Sequence, residues 1–350
     1  MKSYFRPEID ALAGYTPGEQ PKMPGLVKLN TNENPYPPSP RVAAAIREFA
    51  AELLRLYPDP TADALRDAIA ERHGCRRENV ICGNGSDDLL TMVFRAFTDP
   101  VRPMAMPDPS YSLYPVLAAM QGAESKLIPL TENFELPEDF LDRAKGANLL
   151  AFPRPNAPTG ASFGRGAMEA ICRGFDGIVL IDEAYADFAD DCCLDFATRF
   201  DNVIVMRTFS KSYSLAGLRL GYAVASFAII DGLMKLKDSY NVDRLSQTAA
   251  FAAFEDREYL AECVAKVKAT RARLAGALRE LGFRVVDSQA NFVFASPPGG
   301  DGGKYFEYLR RNAVIVRYFA APRTRDFVRI SIGTDPEIDR LLELTRNFVK

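Results

Sequence analysis

The stretch T-F-S-K-S-Y-S-L-A-G-L-R-L-G, residues 208–221, places one lysine, Lys211, among small residues and hydroxyls, with Arg219 eight positions further on. It joins two short apolar runs, Val203–Arg207 and Gly221–Ala225, that read as buried strands. A lysine held at the end of a strand forms an imine with an aldehyde, and an arginine with nearby hydroxyls holds a phosphate. A solvated loop lysine is the plain alternative.

Working upstream, further apolar runs are Asn79–Cys82, Pro103–Met106, Ser125–Pro129, Asn148–Phe152 and Ile178–Ile181. Several are almost continuously apolar, as strands covered on both faces are, and helical stretches lie between them. The expectation is an α/β fold with a mostly parallel seven-stranded sheet flanked by helices. Residues 1–35, rich in Pro, Gly and Asn, read as an extended arm. Helical periodicity starts at Pro40 and continues through R-V-A-A-A-I-R-E-F-A-A-E-L-L, and Pro58 and Pro60 end it. T-A-D-A-L-R-D-A-I-A-E-R-H follows as a second helix, with Thr61 as its expected N-cap. Downstream, residues 228–282 read as a long helical region before the chain returns to α+β character. The domain expectation is an arm over 1–35, a large domain over 36–245 and a small α+β domain over 246–350.

Composition narrows the function. A net charge of −3 gives no nucleic-acid footprint. No apolar run reaches the ~18 residues of a membrane helix, and the start, M-K-S-Y-F-R-P-E-I-D, has no signal-peptide core. The six cysteines form no C-x-x-C pair, which fits free thiols in a reducing compartment, so a soluble cytoplasmic protein is expected. Cys192 and Cys193 are adjacent and read either as a redox pair or as packing. His73 is the only histidine, which excludes multi-histidine metal sites and most histidine-based catalysis; it reads as a surface residue near a helix end. No metal site is expected, and acid–base work falls to Lys, Tyr, Asp or Glu.

Four other segments carry chemistry. G-N-G-S-D-D, 83–88, ends a strand and opens an apolar helix, so its backbone amides with Ser86 would cradle a phosphate; the same residues also read as an ordinary capped turn. Tyr111, in D-P-S-Y-S-L-Y-P, reads as a ring that stacks on a flat ligand or as a core tyrosine. Asn156, in P-R-P-N-A-P-T-G, lies on a loop at a strand's C-terminal edge, where α/β proteins bind ligands, or serves turn chemistry alone. Asp182 ends the apolar run G-I-V-L-I-D-E-A-Y; a carboxylate there needs a partner, and a pyridinium nitrogen is a suitable one, with Tyr185 near the ring oxygen. A helix N-cap is the alternative for Asp182. In chain order these features, with Ser210, Lys211 and Arg219, cover every face of pyridoxal 5′-phosphate (PLP).

At this point the chain resembles the fold-type I, aspartate-aminotransferase-like PLP enzymes, and within them the histidinol-phosphate aminotransferase subgroup. The resemblance covers essentially the full length. It includes L-N-T-N-E-N-P-Y-P-P-S (29–39), R-L-Y-P-D-P (55–60), the segments above, Y-N-V-D-R-L-S-Q (240–247), A-N-F-V (290–293) and V-R-I-S-I-G (328–333). It implies that Lys211 carries the cofactor and moves the proton, Asp182 pairs the ring nitrogen, Tyr185 and Asn156 hold the ring oxygen, and Tyr111 stacks. Ser86, Asp87 through its backbone, Ser210 and Arg219 would hold the phosphate. Tyr57 would reach the phosphate of a neighbouring subunit in a homodimer with shared active sites. Asn34 would line the pocket, Arg329 would grip the carboxylate of glutamate, and Arg317 the substrate's phosphate or distal carboxylate. Many relatives carry Asn directly before Pro-Thr-Gly, whereas here that position is Ala157 and Asn156 precedes it. The implied reaction is transamination between L-histidinol phosphate or imidazole-acetol phosphate and glutamate or 2-oxoglutarate. An aromatic or broad-range aminotransferase and a threonine-phosphate decarboxylase are the alternatives on the same scaffold.

Overall fold

A computed structural model describes residues 3–350, so the first two residues of the expected arm lie outside it. The strands are β1 (Val27–Leu29), β2 (Val80–Gly83), β3 (Met104–Asp108), β4 (Ser125–Pro129), β5 (Leu149–Pro153), β6 (Ile178–Asp182), β7 (Val203–Thr208), β8 (Gly221–Ala225), β9 (Arg284–Val285), β10 (Phe292–Ser296), β11 (Val314–Tyr318) and β12 (Val328–Ser331).

Seven of them form one sheet in the order β2-β8-β7-β6-β5-β3-β4. Helices cover both faces, and every residue of β5, β7 and β8 is buried, which explains their largely apolar character. Only β8 runs antiparallel to its neighbours. The chain therefore turns back after β7 without a crossover helix, and residues 209–220, with Lys211 and Arg219, stay at the sheet's edge. The same edge carries Asp182, the last residue of β6, and Ser86, the first residue of the helix after β2. Gly221 starts β8 because a Cβ there would lie 2.7 Å from the Ser86 amide nitrogen and 3.0 Å from the Arg207 carbonyl.

The second sheet has the order β1-β11-β12-β10-β9, with β1 parallel to β11 and the other pairs antiparallel. Helices Arg257–Glu280 and Asp335–Val349 cover it through Val267, Leu274, Leu278, Ile338 and Leu341, all buried. The stretch read as an extended arm thus contributes a strand to a sheet otherwise built from the C-terminal part of the chain.

Three local expectations change. The periodic run from Pro40 is a helix only to Arg47, and after a break Ala51–Arg55 forms a 3-10 turn. Thr61 is not the cap of helix Asp63–His73: the Asp63 amide donates to Asp59 Oδ2 (2.8 Å), and Ala62 turns left-handed at φ 53° between them. An ionised Asp59 outcompetes the threonine hydroxyl, and these hydrogen bonds hold its carboxyl below the usual range against a partial burial that raises it. The region 228–282 is three helices, Phe227–Met234, Arg244–Glu255 and Arg257–Glu280.

His73 ends its helix as expected, but it is half-buried and within 3.0 Å of Tyr222 Oη. Burial, then Arg207 and Arg72, push its pKa down to about 3, so it stays neutral at physiological pH. No helix of the described residues is long and apolar enough to cross a membrane.

Candidate active site

The carboxyl ends of β5, β6 and β7, the helix start at Ser86, and residues 30–32 enclose one cavity at the rim of the large sheet. At one end lies the turn before helix Ser86–Phe97. Gly85 has φ 82°, and a Cβ on it would sit 2.5 Å from Arg219 Nη2. The first-turn amides of that helix have no intrahelical acceptors and carry the positive end of its dipole. Arg219 Nη1 donates to Ser210 Oγ (3.2 Å) and Nη2 to Asp87 Oδ2 (3.1 Å). Arg219, Ser210 and Ser86 thus converge on the helix start, a donor set suited to a phosphate dianion.

Lys211 projects into the middle of the cavity, where Nζ donates to the Thr31 carbonyl (3.1 Å). Burial, followed by the nearby Arg329 charge, lowers its pKa to about 8, so a substantial fraction of the amine is nucleophilic near neutrality. Its loop is held from behind. Asn34 Nδ2 donates to the Lys211 and Ser212 carbonyls (3.2 and 3.1 Å). Ser212 Oγ donates to Asp187, which with Glu183 receives the buried Arg207 guanidinium at 2.8–3.0 Å.

Asp182 forms part of the cavity lining but is only 5% exposed. Tyr114 Oη donates to Oδ2 (2.9 Å) and the Ala184 amide to Oδ1 (3.1 Å). Burial outweighs both donors and raises its pKa to about 6. A carboxylate that stays strained in this way invites a cationic N–H. Tyr111 and Tyr185 also line the cavity, and Tyr15 packs edge-on against Tyr111 at 6.0 Å.

The second sheet supplies Arg329 and Arg317, which are Cα partners across β12 and β11. Arg329 lies between the rings of Phe292 and Phe319, at 5.2 and 5.5 Å, and Nη2 donates to the Asn30 carbonyl (3.0 Å). Its buried Nε has no acceptor among the described residues. Arg317 donates to the carbonyls of Thr16 and Pro17 (2.9 and 3.1 Å), so residues 15–18 strap across the opening.

Of the residues singled out from the sequence, Ser86, Asp87, Tyr111, Asp182, Tyr185, Ser210, Lys211, Arg219, Arg317 and Arg329 line this one cavity. Three do not. Asn156 is fully buried; its amide donates to the Pro109 carbonyl (3.0 Å) and Thr159 Oγ1 (2.9 Å), and Ala157 takes the wall position. Asn34 holds the lysine loop instead of lining the pocket, because the loop's carbonyls need a donor. Tyr57 is 75% exposed and stacks on Tyr240 at 4.3 Å, away from the cavity. Residues not anticipated include Thr31, Asn32 and Tyr114. Only the clustering of asparagines in N-T-N-E-N hinted at the first two. Among the described residues no group of His, Cys, Asp and Glu is arranged to hold a metal ion.

A nucleophilic lysine, an anion cradle and a strained carboxylate around one flat cavity define an enzyme that uses a phosphorylated aldehyde with a basic ring nitrogen. The profile of the Aminotransferase class I and II family matches residues 24–344, and the chain belongs to that family. It is 49% identical over 335 residues to a histidinol-phosphate aminotransferase of Microcystis aeruginosa, covering 96% of this chain and 95% of that one. It is 44% identical over 356 residues to histidinol-phosphate aminotransferase 2 of Dechloromonas aromatica, covering 99% of each. Among solved structures it is similar to the histidinol-phosphate aminotransferase of Sinorhizobium meliloti in complex with PLP, with a TM-score of 0.89, 26% identity and 99% of each chain covered.

Proposed function

We propose that this chain is a PLP-dependent aminotransferase of histidine biosynthesis that moves the amino group between glutamate and imidazole-acetol phosphate, giving 2-oxoglutarate and L-histidinol phosphate. The observation that carries it is the placement of Lys211 between the helix-start cradle and Asp182, with two arginines facing it. Full-length similarity to histidinol-phosphate aminotransferases supports the substrate pair.

Bound PLP supplies an aldehyde that captures amines and an electron-poor ring that absorbs the charge left when a Cα–H proton departs. The chain's residues do the rest. Asp182 would accept the ring N–H and keep the ring electron-poor, Tyr185 would donate to the ring oxygen, and Tyr111 would stack on the ring. Ser86, Asp87 through its amide, Ser210 and Arg219 fix the phosphate. Lys211 Nζ would take the proton from the substrate Cα and later give one back, as base and then acid. Arg329 orients the glutamate carboxylate, and Arg317 the substrate's distal phosphate or carboxylate. Residues 15–18 must release Arg317 for that contact, and their strap then excludes water.

The proposal extends to a cytoplasmic homodimer in which Tyr57 reaches the neighbouring subunit's cofactor phosphate, and to an arm, a large PLP-binding domain and a small domain with the boundaries given above. The exposed Leu54, Leu56 and Tyr57 support a protein interface there.

The deciding experiment is an absorbance spectrum of the PLP-loaded protein before and after L-histidinol phosphate. A visible band that converts to the amine form of the cofactor supports the reading. A band responding only to phenylalanine or to threonine phosphate moves the activity to the other enzymes of this scaffold.

Two quantitative predictions follow from the geometry. The rate at which cofactor-free protein takes up PLP is expected to rise with pH through a midpoint near 8, because only the neutral Lys211 amine attacks. A rate still climbing without a bend beyond pH 10 contradicts the lowered basicity. Arg329→Lys removes a bidentate grip and is expected to raise KM for glutamate about 10–100-fold, the worth of a charged hydrogen-bonded pair. An unchanged KM removes Arg329 from the carboxylate site.

A further inference from the structure

Asn32 is hydrogen-bonded through both its backbone and its side chain. Its backbone is left-handed (φ 56°), a conformation asparagine tolerates better than most residues. Its N–H donates to Ser331 Oγ (2.8 Å), and its carbonyl accepts from Asn291 Nδ2 (2.9 Å). Asn32 and Asn291 are buried, at 1% and 0% exposure.

Ser331 Oγ accepts from the Asn32 N–H and donates its single proton to Asn32 Oδ1 (3.0 Å). That leaves Nδ2 facing Tyr185 Oη at 2.9 Å, as donor. The Tyr185 oxygen is then an acceptor on that side, and its own proton must point elsewhere. Ala157 and Phe292 pack against the ring and offer no side-chain acceptor, the latter edge-on at 5.1 Å. The open direction is the cavity.

We propose that Asn32 is a positioning residue: it aims the Tyr185 hydroxyl proton into the cavity and, by donating to the phenol oxygen, makes Tyr185 a stronger donor to the ring oxygen of PLP. The inference rests on the PLP reading above. Burial raises the Tyr185 pKa, and the Arg329 charge and the Asn32 amide act against it. The other titratable or charged groups around the ring are Asp182, Lys211 (Nζ 6.0 Å from the centroid), Tyr15, Tyr111 and Tyr114. With Ala157 in the wall, Asn156 does not share the task.

The test is the pH midpoint of the visible band of the PLP-loaded, full-length protein. A donor at the ring oxygen favours the form in which that oxygen bears its full charge, which is the form after the lysine linkage loses its proton. Weakening that donor therefore raises the midpoint. Asn32→Gly keeps the left-handed backbone and is expected to raise it by about one pH unit, the scale of one hydrogen bond. Asn32→Asp keeps the shape but only accepts, so it draws the Tyr185 proton away and raises the midpoint at least as far. In a Tyr185→Phe background, Asn32→Gly is expected to add no shift. An unmoved midpoint in both Asn32 variants, or an equal shift with and without the tyrosine hydroxyl, overturns the inference while leaving the cofactor reading intact. A wild-type protein that forms no visible band with PLP overturns the cofactor reading and this inference with it.

Discussion

A Lys211→Ala protein is expected to bind PLP without the visible band and to lose transamination by at least about 10⁴-fold, the upper range of what a positioned general base contributes. The loss has two sources on one atom. Among the described residues Nζ is the only lysine amine lining the cavity, so none of them replaces it as the anchor for the aldehyde. It is also the base best placed for the substrate Cα, since Asp182 is engaged below and Tyr111 and Tyr185 have their pKa values raised above the ordinary phenol by burial. The phosphate cradle does not involve Nζ, so PLP affinity should fall far less than turnover. Equilibrium dialysis of PLP alongside a coupled glutamate assay separates the two. Turnover within a hundredfold of wild type removes Lys211 from the chemistry, while loss of PLP binding altogether places it in the cradle.

Asp182→Asn is expected to weaken catalysis and strengthen the cofactor-free fold. The catalytic loss should be about 10²–10³-fold, comparable to removing one preorganised electrostatic partner of the reacting system. Stability moves the other way. The folded carboxyl has its pKa raised from 3.8 to about 6, so the folded protein binds this proton more tightly than the unfolded chain does. Stability from this group is therefore present below pH 3.8, falls as pH rises, and is fully lost above pH 6. That penalty is about 3 kcal/mol at neutral pH. Asparagine never charges, but it satisfies only one of the two donors, Tyr114 and Ala184, which gives back about 1 kcal/mol. The variant without cofactor should gain about 2 kcal/mol at pH 8, with no gain near pH 4. Urea unfolding of both proteins at the two pH values tests it. An equal difference at both pH values shows that the charge of Asp182 is not what strains the fold. The same carboxylate that costs stability when the cavity is empty is the one a ring N–H relieves.

The large sheet was legible because burial on both faces leaves strands few polar positions, and Leu149–Pro153 and Val203–Thr208 stand out against the helices around them. Lys211 and Asp182 were legible for a related reason: charged residues directly after such runs are costly unless they have a purpose. The residues that escaped notice depend on partners distant in the chain. Asn32 meets Tyr185 across 153 positions and the Ser331 hydroxyl across 299. No local periodicity encodes such pairs. Thr61 and Asn156 show a different failure. Each has the residue type its expected role requires, but a neighbour competes: Asp59 takes the helix start, and the Pro109 carbonyl with Thr159 takes the asparagine amide.

The pairing of β1 with β11 constrains how the protein is made. Among the described residues Val27–Leu29 finds its strand partner at Val314–Val316, so β1 itself is not paired until nearly the whole chain has left the ribosome. The large sheet is complete by Ala225, and a domain that folds as it emerges has its cradle, Asp182 and Lys211 in place early. What arrives last is the pair β11 and β12 with Arg317 and Arg329, the part proposed to meet the substrate. Nascent chains halted before residue 314 should therefore hold the elements that grip a cofactor and lack those that recognise an amino donor.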